Sequence, residues 1–228
     1  ESGAKKGMTR VSDGAPDGSD GVAAEDWTAA PPGPGWRSLA GREVFRTKWI
    51  VVESHQALAP TGAPADYGVV RFQNRAIAIL PLFEDGTTVL VGQHRFARMN
   101  YSWEVPEGGS PLDDDPQAGA VRELKEETGL LARRWIPAFS ELELSYSVSD
   151  EVGYGFIALE LTQEEAEPEA TESFQLRRVR FREALRLARA GVLRDAMTVA
   201  LLYQAHHMAI EGELPDEITA AMLRRETP

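Results

Sequence analysis

Glu123, Glu126 and Glu127 stand close together in the run Gly108 to Leu130, GGSPLDDDPQAGAVRELKEETGL, with Arg122 directly before them. On a helix, carboxylates three and four residues apart share a surface and repel, by about 0.2–0.5 kcal/mol per exposed pair. Arg122, four residues ahead of Glu126, is placed to neutralise one of them. The remaining charge suits a hard cation with a preference for oxygen ligands. Magnesium is the natural candidate, because it binds through one or two carboxylates and completes its octahedron with waters and substrate phosphate oxygens. The plain alternative for any pair of glutamates is a solvated acidic face.

A short helix must carry these residues. Asp115 is a good N-cap, Pro116 suits the first helical position and Gly129 is a C-terminal stop, so the helix is expected over Pro116 to Thr128. Ala118, Val121 and Leu124 recur every three residues as an apolar stripe toward a core, which puts the glutamates on the opposite flank. Upstream, REVFRTKWIVVES, YGVVRF, RAIAILPLF and TTVLVGQHRF read as strands separated by turn signals. Downstream, WIPAFSELELS, GYGFIALEL and QLRRVRF read as strands. FREALRLARAG and RDAMTVALLYQAHHMA read as helices broken at Gly191, the second with Ala196, Val199, Ala200 and Tyr203 on one face. Strands with helices on both sides make an α/β fold, an α/β/α sandwich with a mixed β-sheet.

The order Gly108, Arg122, Glu123, Leu124, Glu126, Glu127, Gly129, Leu130 resembles the Nudix box, G-x(5)-E-x(7)-R-E-U-x-E-E-x-G-U with U a bulky aliphatic residue. One position departs: Asp114 stands where the box has its first Glu, keeping the charge and shortening the reach by one methylene. The resemblance implies the same sandwich fold and a Mg²⁺ site, with Mn²⁺ as a substitute, held by Glu123, Glu126 and Glu127. It gives Arg122 an orienting role through an ion pair with a glutamate. Gly108 and Gly109 let the backbone approach metal and phosphates closely.

The lead-in Trp103-Glu104-Val105-Pro106-Glu107-Gly108-Gly109 resembles the W-E-x-P-x-G-G of the branch acting on ADP-ribose and nucleoside diphosphate sugars. That branch implies a substrate-side Glu104 and a metal bound by the backbone carbonyl of Glu107, a hard oxygen donor. For Glu104 a structural carboxylate at a strand end is the alternative. The stretch from Ser145 to Glu151 resembles the branch's loop ending in Ser-Asp-Glu, which implies that Glu151 is a further metal ligand or the base that activates water, with Asp150 as a substitute. Glu126 is the other candidate base. Arg95 and Arg98 follow a strand where the family presents basic residues to the diphosphate or terminal ribose, a task that the planar guanidinium suits. Tyr146 stands where many ADP-ribose hydrolases have proline and is similar to the dinucleoside polyphosphate hydrolases instead.

The activity so implied is Mg²⁺-dependent hydrolysis of the diphosphate of ADP-ribose or another nucleoside diphosphate sugar, giving a nucleoside monophosphate and a sugar phosphate. A dinucleoside polyphosphate or RNA-cap type hydrolase is the runner-up, and a non-catalytic nucleotide-sensing domain comes third. The branch also implies a homodimer in which amino-terminal strands reach across. Trp49, Ile50 and Val51 offer an apolar edge for this, and a monomer that keeps the strand in its own sheet is the alternative.

Composition agrees with a metal-assisted phosphate site. The net charge of -12 over 228 residues disfavours a nonspecific nucleic-acid binder, which displaces counterions with Lys and Arg. With no cysteine there is no disulfide framework and no thiolate zinc site. No run reaches the roughly 18 apolar residues of a membrane helix, and no signal peptide opens the chain, so a cytoplasmic protein is expected. Residues 1–35, rich in Gly, Ala, Pro, Asp and Ser, read as a disordered leader, of which 1–7 precede Met8 as a remnant of expression. The hydrolase domain is expected over 36–210, with 36–60 as the strands of dimer contact, and a helical extension over 211–228.

Overall fold

The computed structural model describes residues 33–166 and 173–224. The chain divides into two units, Glu1–Gly35 and Trp36–Pro228, and every described strand and helix lies in the second. Apart from its last three residues, the expected leader falls outside the described residues.

In chain order the strands are β1 (Arg37–Arg46), β2 (Ile50–Leu58), β3 (Pro64–Phe72), β4 (Asn74–Pro81), β5 (Thr87–Arg95), β6 (Asn100–Glu104) and β7 (Glu107–Pro111), followed by helix α1 (Pro116–Thr128). Then come β8 (Leu130–Glu143), β9 (Val152–Gln163), β10 (Gln175–Arg180) and the helices α2 (Phe181–Arg189), α3 (Ala196–Ile210) and α4 (Asp216–Leu223). The first stretch that reads as one strand is two. Thr47 accepts the backbone N–H of Trp49 and of Ile50 on its Oγ1, both at 3.1 Å, and this turn reverses the chain into an antiparallel β1–β2–β3 sheet.

A four-stranded sheet ordered β7-β4-β9-β8 forms the centre, with β4 and β9 parallel and both outer strands antiparallel. Successive strand side chains point to opposite faces, so the apolar runs of β4 and β9 feed two cores at once. Ala78, Leu80, Ile157 and Leu159 pack with Phe181 of α2 and with Leu201 and Leu202 of α3. Their neighbours Ile77, Ile79, Phe156 and Ala158 pack with Ala120 and Leu124 of α1. Helices thus cover both faces of a mixed sheet, which is the expected α/β/α sandwich. A third sheet, β10-β5-β6, is antiparallel, and α4 adds Ile218 and Met222 to the first core. Among the described residues no helix is long and apolar enough to cross a membrane.

Helix α1 has the expected extent and α3 begins two residues later than expected and ends one later, and both bury a different face. In α1 only Leu124 of the expected stripe is buried; Ala118 and Val121 are exposed, and the inward face is Gly119, Ala120, Glu123, Leu124, Glu127 and Thr128. Small residues let α1 press against β7, since a Cβ on Gly119 would stand 2.7 Å from the Ser110 side chain. In α3 Met197, Leu201, Leu202, Ala205 and Met208 turn inward, while Ala196 and Tyr203 are exposed. Its apolar residues go nearly all the way round, so periodicity leaves the face open and packing on β4, β8 and β9 selects it.

Candidate active site

The local signals that end α1 also aim it. Asp115 accepts the Gln117 N–H at 3.1 Å, Pro116 begins the helix, and Gly129 closes it at φ 69° in the left-handed region. So placed, α1 is tied to the backbone of β7. Glu127 Oε2 accepts the Glu107 N–H at 3.0 Å. Arg122 donates to Glu126 at 2.6 Å, to Glu123 at 2.7 Å and to the Gly109 carbonyl at 2.6 Å. Glu123 and Glu127 are 8% and 4% exposed, a burial that carboxylates tolerate only when paired or hydrogen-bonded. Gly108 has an ordinary φ, and its missing side chain is a matter of space: a Cβ there would stand 2.2 Å from the Glu123 carboxyl carbon. At the departing position, Asp114 is exposed and its carbonyl accepts Arg75 at 2.9 Å.

A second acidic group forms across β7. Arg95, ending β5, grips both oxygens of Glu104 through Nε at 3.1 and 2.9 Å and also donates to Glu107. Asp195 joins them from the start of α3, and Glu104, Glu107 and Asp195 offer oxygens within 4.8 Å of one another. Asp195 caps α3 by accepting the Thr198 N–H at 2.7 Å, and the buried Thr198 hydroxyl accepts the Val105 N–H at 3.0 Å. The start of α3 therefore holds the Glu104–Glu107 turn in place.

Burial, then the charges of Asp195 and Glu104, pushes the Glu107 carboxyl well above its usual value, against the opposing pull of Arg95. Burial, then Asp195, also raises Glu151. For Glu107 the raised folded value means that its contribution to stability is full below the ordinary value of 4.5 and is lost as pH rises through the raised one. The metal-free protein is therefore expected to melt higher at about pH 5.5 than at about pH 8, with Glu107→Gln reducing the difference in thermal melts to what Glu151 leaves. The carboxyls held low by partners, such as Glu53 and Asp85, act only below 4.5 and 3.8, outside that window.

Two cavities meet at Arg95, Glu107 and Asp195. One, of about 350 Å³, is lined also by Gly108, Gly109 and Glu151, with Trp49 and Phe72 on its apolar side. The other, of about 600 Å³, is lined also by Arg98, Glu104 and Arg194. The expected substrate-side residues Arg95, Arg98, Glu104, Gly108 and Gly109 thus fall around one region. Glu123, Glu126 and Glu127 line neither cavity: Glu123 lies against Gly108, Glu127 accepts the Glu107 N–H, and Arg122 ties Glu123 and Glu126 to the Gly109 carbonyl. In the 145–151 loop the two acids separate: Asp150 accepts the Phe72 N–H at 2.9 Å and Arg71 at 3.4 Å, while Glu151 lines the cavity. Tyr146 is 78% exposed and lines neither cavity.

Asp195, Thr198, Arg194 and Phe72 are additions that sequence reading leaves out, and Trp49, expected only at a dimer edge, lines the site cavity. Asp195 had one signal, an Asp directly before an apolar helix, which marks a cap and says nothing of what the cap faces.

A family model described as the NUDIX domain matches residues 72–201. An ADP-ribose pyrophosphatase of Bacillus subtilis (strain 168) is 27% identical over 180 residues, covering 78% of this chain and 96% of that protein. A methanol dehydrogenase activator of Bacillus methanolicus is 25% identical over 167 residues, covering 72% and 88%. A solved structure described as an ADP compounds hydrolase superposes with a TM-score of 0.72 at 20% identity, covering 81% of this chain and 100% of that one, a likeness of fold.

Proposed function

The chain belongs to the Nudix family and is a Nudix hydrolase, and we propose that it cleaves the diphosphate of ADP-ribose or a related nucleoside diphosphate sugar to a nucleoside monophosphate and a sugar phosphate. The observation that carries this reading is the bracing of Glu123, Glu127 and Arg122 against the backbone of Glu107 to Gly109, beside a cavity that also holds Glu151. The B. subtilis ADP-ribose pyrophosphatase, aligned over 96% of its length, supports the substrate class.

The donors assigned to the metal are all hard oxygens: the carboxylates of Glu123, Glu126, Glu127 and Glu151 and the carbonyl of Glu107. That set fits Mg²⁺, or Mn²⁺ in its place, and not a thiolate-seeking ion. Bound there, a divalent cation offsets the negative charge that a diphosphate presents to an incoming nucleophile. Arg122 keeps Glu123 and Glu126 oriented through its two carboxylate bonds and ties them to the Gly109 carbonyl. Glu151, half-buried and with its carboxyl raised, takes the proton of the attacking water, and Glu126 is the alternative base. Arg98, exposed at the mouth of the neighbouring cavity, meets phosphate oxygens or the terminal ribose, while Arg95 holds Glu104 on the substrate side. Trp49 and Phe72 offer aromatic surface to a base.

Turnover with Mg²⁺ across ADP-ribose, GDP-mannose, UDP-glucose, NADH and diadenosine polyphosphates tests the proposal. Hydrolysis of ADP-ribose or another sugar nucleotide, abolished by EDTA, is expected. Cleavage confined to diadenosine polyphosphates would move the chain to the runner-up class.

The proposal includes a homodimer. Leu39, Phe45 and Trp49 of the β1–β2–β3 region are 59%, 56% and 52% exposed, apolar side chains that a partner chain would cover. Of the expected edge, Trp49 is open, Ile50 is half-buried and Val51 is buried in its own chain. Light scattering on the purified protein is expected to give twice the chain mass of 25.0 kDa, and a particle of one chain would end the dimer reading.

A further inference from the structure

Arg182, Arg186 and Arg189 recur at spacings of four and three along α2, so they share one face while Phe181, Ala184 and Ala188 are buried on the other. Like charges at that spacing repel, and Glu183, the carboxylate on their side, is taken by Arg186 through two bonds of 2.7 Å. Arg180, at the end of β10, and Arg224, just past α4, face the same cavity of about 600 Å³, which has Leu185 and Met222 among its apolar lining. Five arginines around one cavity, in a chain of net charge -12, are a concentration that overall composition does not produce.

The walls are built. The α4 backbone lies so close to the turn before β5 that a Cβ on Gly86 would stand 2.3 Å from the Ala221 carbonyl oxygen, and Arg182 donates to the Leu223 carbonyl at 3.3 Å. Gly86 precedes β5 and Arg95 ends it, so the cavity lies on the order of 25 Å from the Nudix site along that strand.

We propose that this cavity is a second ligand site, which takes a small molecule bearing phosphate groups. Guanidinium forks match phosphate oxygens in pairs. The volume falls within the roughly 300–1,000 Å³ of small-molecule sites, which favours a small ligand over a polymer, and Leu185 and Met222 give its organic part a dry surface.

Calorimetric titration of the full chain with tripolyphosphate in EDTA tests the site with no metal to bridge phosphate to the Nudix carboxylates. Among the described residues the Arg189 and Arg224 side chains make no hydrogen bond or ion pair, so Arg189→Gln/Arg224→Gln is expected to melt like the wild type. One equivalent is expected to bind the wild type and Glu127→Gln, with affinity lowered about tenfold or more in the arginine double variant. Single Arg189→Gln gives a smaller loss in the same direction. Hydrolysis by the arginine variants is expected to stay at the wild-type rate. Absence of binding to the wild type, equal binding by the double variant, or a loss confined to Glu127→Gln would each overturn the site.

Discussion

Glu127→Gln is expected to fold normally and to lose hydrolysis by roughly a hundred- to a thousandfold, the scale seen when one charge-stabilising group is removed from a reacting centre. The substitution isolates charge from geometry. Glu127 Oε2 accepts the Glu107 N–H at 3.0 Å, and the glutamine carbonyl oxygen can accept the same bond, so the tie between α1 and β7 survives. What disappears is one negative charge, in a place only 4% exposed. With that bond kept, the melting temperature should hold while kcat falls. If the variant kept full turnover, Glu127 would not be a metal ligand, and a fall in both melting temperature and rate would point to bracing as its role.

The bounds of α1 were legible because they rest on neighbours in sequence: a capping Asp, a first-turn Pro and a stopping Gly each satisfy backbone groups locally. Its inward face was not. A stripe counted from Ala118, Val121 and Leu124 assumes that a helix buries its apolar residues, whereas α1 buries Glu127, which accepts the Glu107 N–H of β7, and Glu123, which Arg122 holds. The other half of the site was legible only in pieces. Arg95 and Glu104 carried signals of their own, but their pairing depends on the β5–β6 register, in which Val91 lies opposite Glu104 and Arg95 opposite Asn100. Asp195 lies far downstream, and only the packing of α3 brings it to Glu107. The Thr47 turn is masked for a smaller reason: it sits inside a run rich in strand formers, and composition hides it.

Gly108→Ala should separate the support of the site from the support of the fold. Its new methyl group would stand 2.2–2.4 Å from the Glu123 carboxyl atoms, too close for any of them to stay. The end of a glutamate side chain can swing away, so the cost to folding is that of a modest overpacking, about 1–3 kcal/mol. The cost to function is larger, because the displaced atoms are a proposed metal ligand and one of the partners Arg122 holds at 2.7 Å. A fall in activity of about a hundredfold is expected, together with a higher Mg²⁺ concentration for half-maximal rate, as for loss of groups that orient a metal site. Gly109→Ala is the control. Its methyl would meet the Asn74 amide nitrogen at 3.3 Å, a contact that a small adjustment relieves, and its carbonyl would still receive Arg122. Activity within about tenfold of the wild type is expected there. If the two alanine variants behaved alike in Mg²⁺ titrations, the close approach of Gly108 to Glu123 would be incidental, and the metal would have to be held elsewhere.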